Sequence, residues 1–156
     1  GEKLYRRSMY TYWRRTVPPP TMMTLNAAAR EVCTVRTDQT TTPLQALTMM
    51  NNVTFVESAR LLAERVIKTK GLTPSQRISR AFRMVTSREP GPDELKRLLA
   101  DFRFYLADFR KRPDAAKQLL SVGQKKADPK LTVIQLASYA LVTNTILNLD
   151  EAIVQD

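Results

Sequence analysis

The chain has 156 residues, with 25 lysines and arginines against 15 aspartates and glutamates, which gives a formal charge of +10. Histidine is absent, so a Ser-His-Asp or Cys-His nucleophile pair, a histidine-ligated zinc or haem site and a histidine pH switch are excluded. The single cysteine, Cys33, excludes an intrachain disulfide and a cysteine-rich zinc site.

An opening helix is predicted from residue 4 to residue 16. One face of this helix would carry the apolar side chains and Thr16, namely Leu4, Tyr5, Met9, Tyr12, Trp13 and Thr16. The helix must end before Pro18–Pro20, a triplet that favours polyproline II.

Residues 21–42 show no sustained period, although residues 32–35 (Val-Cys-Thr-Val) could form a short strand. About twenty residues without regular structure are uncommon in a compact domain. We therefore expect this stretch either to wrap the helices or to pack on a partner outside the chain.

Two predicted helix starts have the same N-capping pattern. A threonine serves as N-cap, a proline takes the first helical position and a glutamine at the third position reaches back to the cap. The residues of the two boxes are Thr42, Pro43 and Gln45, and Thr73, Pro74 and Gln76. Looser helix starts are predicted at Gly91–Glu94 and at Pro113-Asp114, the latter helix ending near Val122-Gly123.

Helical periodicity continues from residue 55 to residue 109. The apolar positions recur every three or four residues: Phe55, Ala59, Leu62 and Val66, then Ile78, Phe82 and Val85, then Leu95, Leu99, Phe102, Leu106 and Phe109. The arginines at 77, 80 and 83 are predicted to face solvent. A last helix, from about Thr132 to Leu149, is apolar around most of its circumference, so it is predicted to lie at the centre of the core.

Positive charge is concentrated near the start, where residues 1–36 carry seven basic and two acidic side chains. The basic side chains there are interleaved with aromatic ones, and the interaction candidates are Arg6, Arg7, Tyr10, Tyr12, Trp13, Arg14 and Arg15. Such a mixture suits single-stranded nucleic acid, because bases stack on aromatic rings and guanidinium groups follow phosphates. The spacing is also that of an amphipathic helix whose aromatics belong to the core, and this interpretation is favoured.

Nothing in the sequence amounts to a catalytic or metal-binding signature. Cys33 could be a nucleophile only if a base activated it, and the chain has no histidine to do so. We therefore expect Cys33 to be a small, buried apolar residue. The methionine pairs at 22–23 and 49–50 are interpreted as core filling. Glu57 and Glu64 could share a helix face, but the adjacent Arg60 and Arg65 indicate surface ion pairs.

Polar residues in and after the last helix are interpreted structurally. Asn144 and Asn148 are expected to satisfy backbone or side-chain groups. Asp150 and Glu151 follow a helix end, where anions are disfavoured, so a cationic group is expected to meet them.

Three motifs together resemble a known family. The first is residues 5–20 (YRRSMYTYWRRTVPPP). The second is residues 30–36 (REVCTVR) with residues 42–47 (TPLQAL), followed by residues 55–57 (FVE) and Ala59-Arg60. The third is residues 147–151 (LNLDE). In this order they resemble the C-terminal part of the planctomycete PSD-one domain, a domain of unknown function, over nearly the whole chain.

The resemblance implies a place in a larger protein. Such domains usually form the C-terminal part of large exported bacterial proteins, which often carry a cytochrome-c-like domain. The resemblance therefore implies that any haem c would be bound by a partner domain and none by this chain. An extracytoplasmic location is implied, and the chain is interpreted as a C-terminal or processed piece. The family supplies no catalytic residues for this chain.

The sequence therefore predicts an all-α fold, an irregular bundle of about five or six helices with an extended Pro/Thr-rich N-terminal segment. Residues 1–42 would complete a domain begun upstream and residues 43–156 form the bundle, the two together making one domain. No apolar run is long enough to span a membrane. The predicted role is a non-catalytic structural or interaction module whose partner is the rest of the parent polypeptide or another subunit. The alternatives are a part of an enzyme or electron-transfer assembly with its haem or metal elsewhere, and, less favoured, a nucleic-acid-binding module.

Overall fold

The computed structural model describes residues 5–14, 17–28, 33, 35, 40 and 42–153. The chain divides into two compact units, Gly1–Thr48 and Met49–Asp156, and the division falls within a helix. All regular structure in the described ranges is helical, without a strand, which confirms the predicted all-α class. The prediction that the two parts make one domain stays a prediction.

The described ranges contain a 3-10 helix at Ser8–Tyr10 and eight α-helices, six of which have nine residues or more. The count slightly exceeds the predicted five or six because two helices are short, with five and four residues. The α-helices are α1 (Pro20–Thr24), α2 (Pro43–Asn51), α3 (Val53–Ile67), α4 (Pro74–Thr86), α5 (Pro92–Lys111), α6 (Pro113–Ser121), α7 (Val133–Leu147) and α8 (Asp150–Ile153).

The predicted opening helix is wrong for the part of it that the structure describes, residues 5–14. The backbone is extended on both sides of the 3-10 turn Ser8–Tyr10, with ψ of 142° at Arg7 and 132° at Thr11. Short isolated helices are marginal in water and need apolar packing. Met9 and Tyr12, which would have faced the core, are exposed, so that packing is missing at these positions.

The predicted Pro/Thr-rich extended segment contains a helix. Pro20 begins α1, because proline at the first helical position loses no hydrogen bond. The helix ends in a Schellman motif, in which Asn26 has a φ of 57° and its N–H donates to the Met23 carbonyl oxygen at 3.1 Å. The Ala27 N–H donates to the Met22 carbonyl oxygen at 2.9 Å and completes the motif.

The short strand predicted at residues 32–35 lies mostly outside the described residues, of which it includes only Cys33 and Val35. Both are exposed. The prediction that Cys33 is a buried hydrophobe is therefore wrong. A single thiol contributes little apolar area, so the hydrophobic effect does not require its burial.

Both predicted capping boxes form. At the start of α2 the Thr42 N–H donates to Gln45 Oε1 at 2.8 Å, and the Gln45 N–H donates to Thr42 Oγ1 at 3.3 Å. Thr73 and Gln76 make the same two bonds at the start of α4, at 2.9 and 3.4 Å. The prolines at the first helical positions are Pro43 and Pro74.

Helix α7 is the centre of the second unit, as predicted, and contacts α3, α4, α5, α6 and α8. Its most extensive contact is with α3. Four alanines are buried on these two helices, Ala59, Ala63, Ala137 and Ala140, and small side chains let helix axes approach closely. The Thr143 hydroxyl on α7 lies 2.8 Å from the Ala59 carbonyl oxygen on α3.

Aromatic packing joins α5 to α7, where the rings of Phe102 and Tyr139 have centroids 4.3 Å apart. Tyr139 is fully buried, and burial raises the pKa of its phenol against the opposing effect of the Arg77 charge. Arg77 was predicted to face solvent and is instead half-buried beside this ring, while Arg80 and Arg83 are exposed. The interaction of the Arg77 side chain with the Tyr139 hydroxyl explains the difference.

Across the described residues, no helix combines the length and the apolar character that a membrane crossing requires.

Candidate interaction surface

The predicted interaction residues lie on a short stretch of the first unit, Tyr5–Arg14, which we call the basic aromatic segment. Its 3-10 turn is closed by two backbone hydrogen bonds, from the Tyr10 N–H to the Arg7 carbonyl oxygen and from the Thr11 N–H to the Ser8 carbonyl oxygen, both 3.0 Å. Because the backbone is extended at Arg7 and at Thr11, on either side of this turn, the segment has no continuous helix face that it could bury.

The aromatic side chains of this segment are mostly exposed. Tyr12 is 82% exposed, Tyr10 68% and Tyr5 54%, together with Met9 at 61%. Trp13 is half-buried. The favoured sequence interpretation, in which these aromatics belong to a core, is wrong for the three tyrosines because the chain forms no helix that would direct them inward.

The cationic side chains of the segment are also exposed, at Arg6, Arg7 and Arg14. Arg15, the seventh candidate, lies outside the described residues. The sequence from residue 5 to residue 14 contains no carboxylate, so the three guanidinium groups have no acidic neighbour within the segment. Exposed tyrosines and arginines together suit a surface that is acidic and partly apolar.

A buried ion cluster on α3 was missed by the sequence analysis. Glu57, Arg60 and Glu64 were predicted to make surface pairs, but all three are buried, and Arg60 at 1% exposure is the largest fully buried side chain. Its Nη1 donates to Glu64 Oε1 at 2.7 Å, and its Nη2 lies 3.7 Å from Glu57 Oε1. The i,i+3 and i,i+4 spacing places the three on one face of α3, but surface ion pairs have the same spacing, so the spacing does not reveal that the cluster is buried.

The cluster holds the loop between α6 and α7. The Lys125 N–H donates to Glu57 Oε1 at 2.7 Å and the Gln124 N–H to Glu57 Oε2 at 3.3 Å. Arg60 Nη2 donates in return to the Lys125 carbonyl oxygen. Glu57 is thus engaged by backbone donors and Glu64 by the Arg60 guanidinium, an arrangement that clamps the loop to α3.

A second contact fixes the same loop at its far end. Lys68 Nζ lies 2.8 Å from Asp128 Oδ2 and 4.0 Å from Glu64 Oε2. The hydrogen bond with Lys68 lowers the pKa of the Asp128 carboxyl, and a backbone bond from Lys130 acts in the same direction. The loop is therefore held by backbone hydrogen bonds to α3 before Lys126 and by an ion pair with Lys68, at the end of α3, after it.

Arg88 joins α5 to α8 from the connection that follows α4. It donates to both Glu94 carboxylate oxygens, at 2.8 and 2.7 Å, and to both Glu151 oxygens, at 2.8 and 2.6 Å, while its guanidinium lies 4.8 Å from the centre of the Phe82 ring. Glu94 also accepts from the Gly91 N–H at 2.6 Å. The Arg88 bond, followed by the Gly91 bond, lowers the pKa of Glu94 to about 2. The cationic group expected to meet Glu151 is thus Arg88.

In residues 5–14, 17–28, 33, 35, 40 and 42–153 no three Cys, Asp or Glu side chains are grouped so that they could hold a metal ion.

The family assignment rests on the first two thirds of the chain. A model of the family PSD1, described as a protein of unknown function (DUF1553), matches residues 1–102. The chain belongs to this family. The match covers the basic aromatic segment and the buried cluster on α3, and it ends at residue 102, so the third resemblance motif at residues 147–151 lies outside it. No curated protein and no solved structure matches the chain.

Proposed function

We propose that this chain is a non-catalytic helical interaction module whose basic aromatic segment binds an acidic, partly apolar surface of a partner protein. The observation that supports the proposal best is the exposure of Tyr10 and Tyr12, at 68% and 82%, beside arginines without an acidic neighbour in the segment. Tyrosine and arginine are enriched where protein interfaces gain most of their binding energy.

The partner is an acidic protein surface and not a nucleic acid. Met9, which is 61% exposed, adds apolar area that a sugar-phosphate backbone would not use. The segment contains three arginines in ten residues, whereas affinity for nucleic acid comes chiefly from many phosphate contacts. In keeping with the family resemblance, we place the partner surface on another domain or subunit of a large extracytoplasmic protein, where any haem or metal would also lie.

The proposal is tested by titrating the protein with a peptide of alternating glutamate and leucine and with a glutamate–serine peptide of equal charge. We expect the glutamate–leucine peptide to bind about tenfold more tightly, because the tyrosines contribute apolar contact. In a Tyr10→Ser/Tyr12→Ser variant this preference should disappear, while an Arg6→Gln/Arg7→Gln/Arg14→Gln variant should bind both peptides more weakly.

Two outcomes would overturn the proposal. One is equal affinity of the two peptides for the wild-type chain, which would leave the tyrosines without a role. The other is tighter binding of single-stranded oligo(dT) than of either peptide at about 150 mM salt, which would assign the segment to nucleic acid.

A further inference from the structure

Helix α5 presents a long cationic face to solvent. Five basic side chains on it are exposed: Lys96, Arg97, Arg103, Arg110 and Lys111. Phe104, which is 67% exposed, lies among them, and these six residues define the α5 cationic face. At about 100° per residue they fall within an arc of about 140°, opposite the buried side chains of Leu98, Phe102 and Phe109.

The five cations have no ionic partner in the part of the chain that the structure describes. Three carboxylates of α5 lie on the face or beside it. Asp93 is exposed on the face itself, in the first turn and seven residues before Ala100, whereas Asp101 and Asp108 are half-buried along one edge, where Asp108 is paired with Arg112. The opposite edge, formed by Lys96, Arg103 and Arg110, has no acidic residue in its row.

The face repeats every seven residues. Lys96, Arg103 and Arg110 form one row, and Arg97, Phe104 and Lys111 form a second row. Between the rows lie Ala100 and Ala107, which are exposed and also seven apart. The small residues between two rows that carry the cations leave room for a second helix to lie along the face.

We propose that the α5 cationic face binds an amphipathic helix of a partner protein that carries carboxylates on both sides of a narrow apolar seam. Five unpaired cations call for an acidic partner. Their rows repeat every ~10.5 Å along the axis, which is the length of two helical turns and the repeat of a helix packed alongside. The face extends for about 22 Å, so the matching partner helix has about four turns.

Other occupants fit less well. The exposed Ala100 and Ala107 between the rows, together with Phe104, give the face apolar area that a phosphate backbone would not use. A membrane-surface helix needs a broad apolar face, whereas Phe104 is the one large apolar side chain here. A second copy of the chain would bring like charges together, since the protein carries +10.

The test uses the intact chain and two peptides of one composition, glutamate with alanine and leucine. In one peptide glutamates flank an alanine–leucine seam with a seven-residue repeat, and in the other the order is scrambled. At about 50 mM salt we expect the periodic peptide to bind at least about tenfold more tightly than the scrambled one, with an affinity that falls as salt rises.

Matched variants locate the site. Lys96→Glu/Arg103→Glu/Arg110→Glu should abolish binding of the periodic peptide. The control is Arg65→Glu/Lys70→Glu/Lys126→Glu, which changes the net charge by the same amount at exposed positions outside α5. This control should change the affinity about twofold at most. Phe104→Ala should weaken binding about fivefold without changing its salt dependence. An Arg6→Gln/Arg7→Gln/Arg14→Gln variant should retain the full preference for the periodic over the scrambled peptide, which separates this face from the basic aromatic segment.

The proposal is overturned if the periodic and scrambled peptides bind equally, if neither binds at about 50 mM salt, or if the two triple glutamate variants lose affinity equally. Tighter binding of oligonucleotides, or of vesicles containing anionic lipid, than of the periodic peptide would also overturn it. All substitutions are at exposed positions, and circular dichroism of each variant serves as the control that its helical content equals that of the wild type.

Discussion

The Glu57 carboxylate occupies the space into which a side chain on Gly123 would project. A Cβ added at Gly123 would lie 2.5 Å from the Glu57 carboxyl carbon and 2.6 Å from Oε2, both shorter than real Cβ contacts. Gly123 also has a φ of 97°, which side chains rarely adopt. The loop after α6 can therefore approach the ion cluster on α3 only because this position has no side chain.

Replacing Gly123 by alanine is expected to lower the free energy of unfolding by about 2–3 kcal/mol, from backbone strain and from displacement of the buried Glu57 carboxylate. The control is Gly71→Ala, since Gly71 has a similar φ of 79° but nothing within 4 Å of the added Cβ. The control should lose about 1 kcal/mol. Equal losses in urea denaturation would show that the Glu57 contact adds nothing.

Replacing Arg60 by methionine removes the buried cation that contacts both Glu57 and Glu64. Removing one partner of a buried ion pair costs about 3–5 kcal/mol, and we expect a loss in that range for Arg60→Met. Arg65→Met on the same helix alters an exposed arginine and should change stability by about 0.5 kcal/mol at most.

A triple variant, Glu57→Gln/Arg60→Met/Glu64→Gln, should recover part of the loss, because no buried charge then remains unpaired. Chemical denaturation of the three variants makes the comparison. An Arg60→Met protein as stable as the wild type would contradict the buried cluster.

The contact between Arg88 and Glu94 predicts that the free energy of unfolding depends on pH in the acid range. The pKa of Glu94 falls from its ordinary 4.5 to about 2 in the folded chain, chiefly through the bond with Arg88. A lowered folded-state pKa means that the stabilisation is complete above about pH 4.5 and is lost as the pH falls through about 2. The wild type should exceed Glu94→Gln in stability at pH 6, and the difference should shrink below pH 4.5.

The control for this prediction is Asp93→Asn, which removes an exposed carboxylate of the same helical turn that has no cationic partner among the described residues. Urea midpoints measured from pH 6 to pH 2 should show a much smaller change for this variant. A Glu94→Gln difference that stays constant over the whole range would contradict the lowered pKa.

The helices from α2 to α7 could be predicted because their signals are local, whereas the short α8 was not predicted. Thr42 with Gln45 and Thr73 with Gln76 fix two helix starts within four residues, and the apolar period identifies the face that each helix buries. The central position of α7 followed from an apolar circumference, which leaves a helix no solvent-facing side.

The remaining features depend on contacts far apart in sequence. Whether Arg60 is a surface or a buried cation is decided by Lys125, 65 residues away, and nothing local to α3 indicates that a loop will cover it. The exposure of the basic aromatic segment has a different origin. Its apolar spacing fits a helix, but its backbone forms a 3-10 turn with extended residues at Arg7 and Thr11, and Tyr10 and Tyr12 remain exposed.

Trp13 is the only tryptophan of the chain and lies in the basic aromatic segment, so its fluorescence reports on that segment alone. The most direct test of the proposed interaction module is a titration of Trp13 emission and of its quenching by acrylamide with the glutamate–leucine peptide. We predict a shift of the emission to shorter wavelength and reduced quenching, both saturating with the binding isotherm and both weakened in Tyr10→Ser/Tyr12→Ser. Peptide binding that leaves the Trp13 emission and its quenching unchanged would contradict the account.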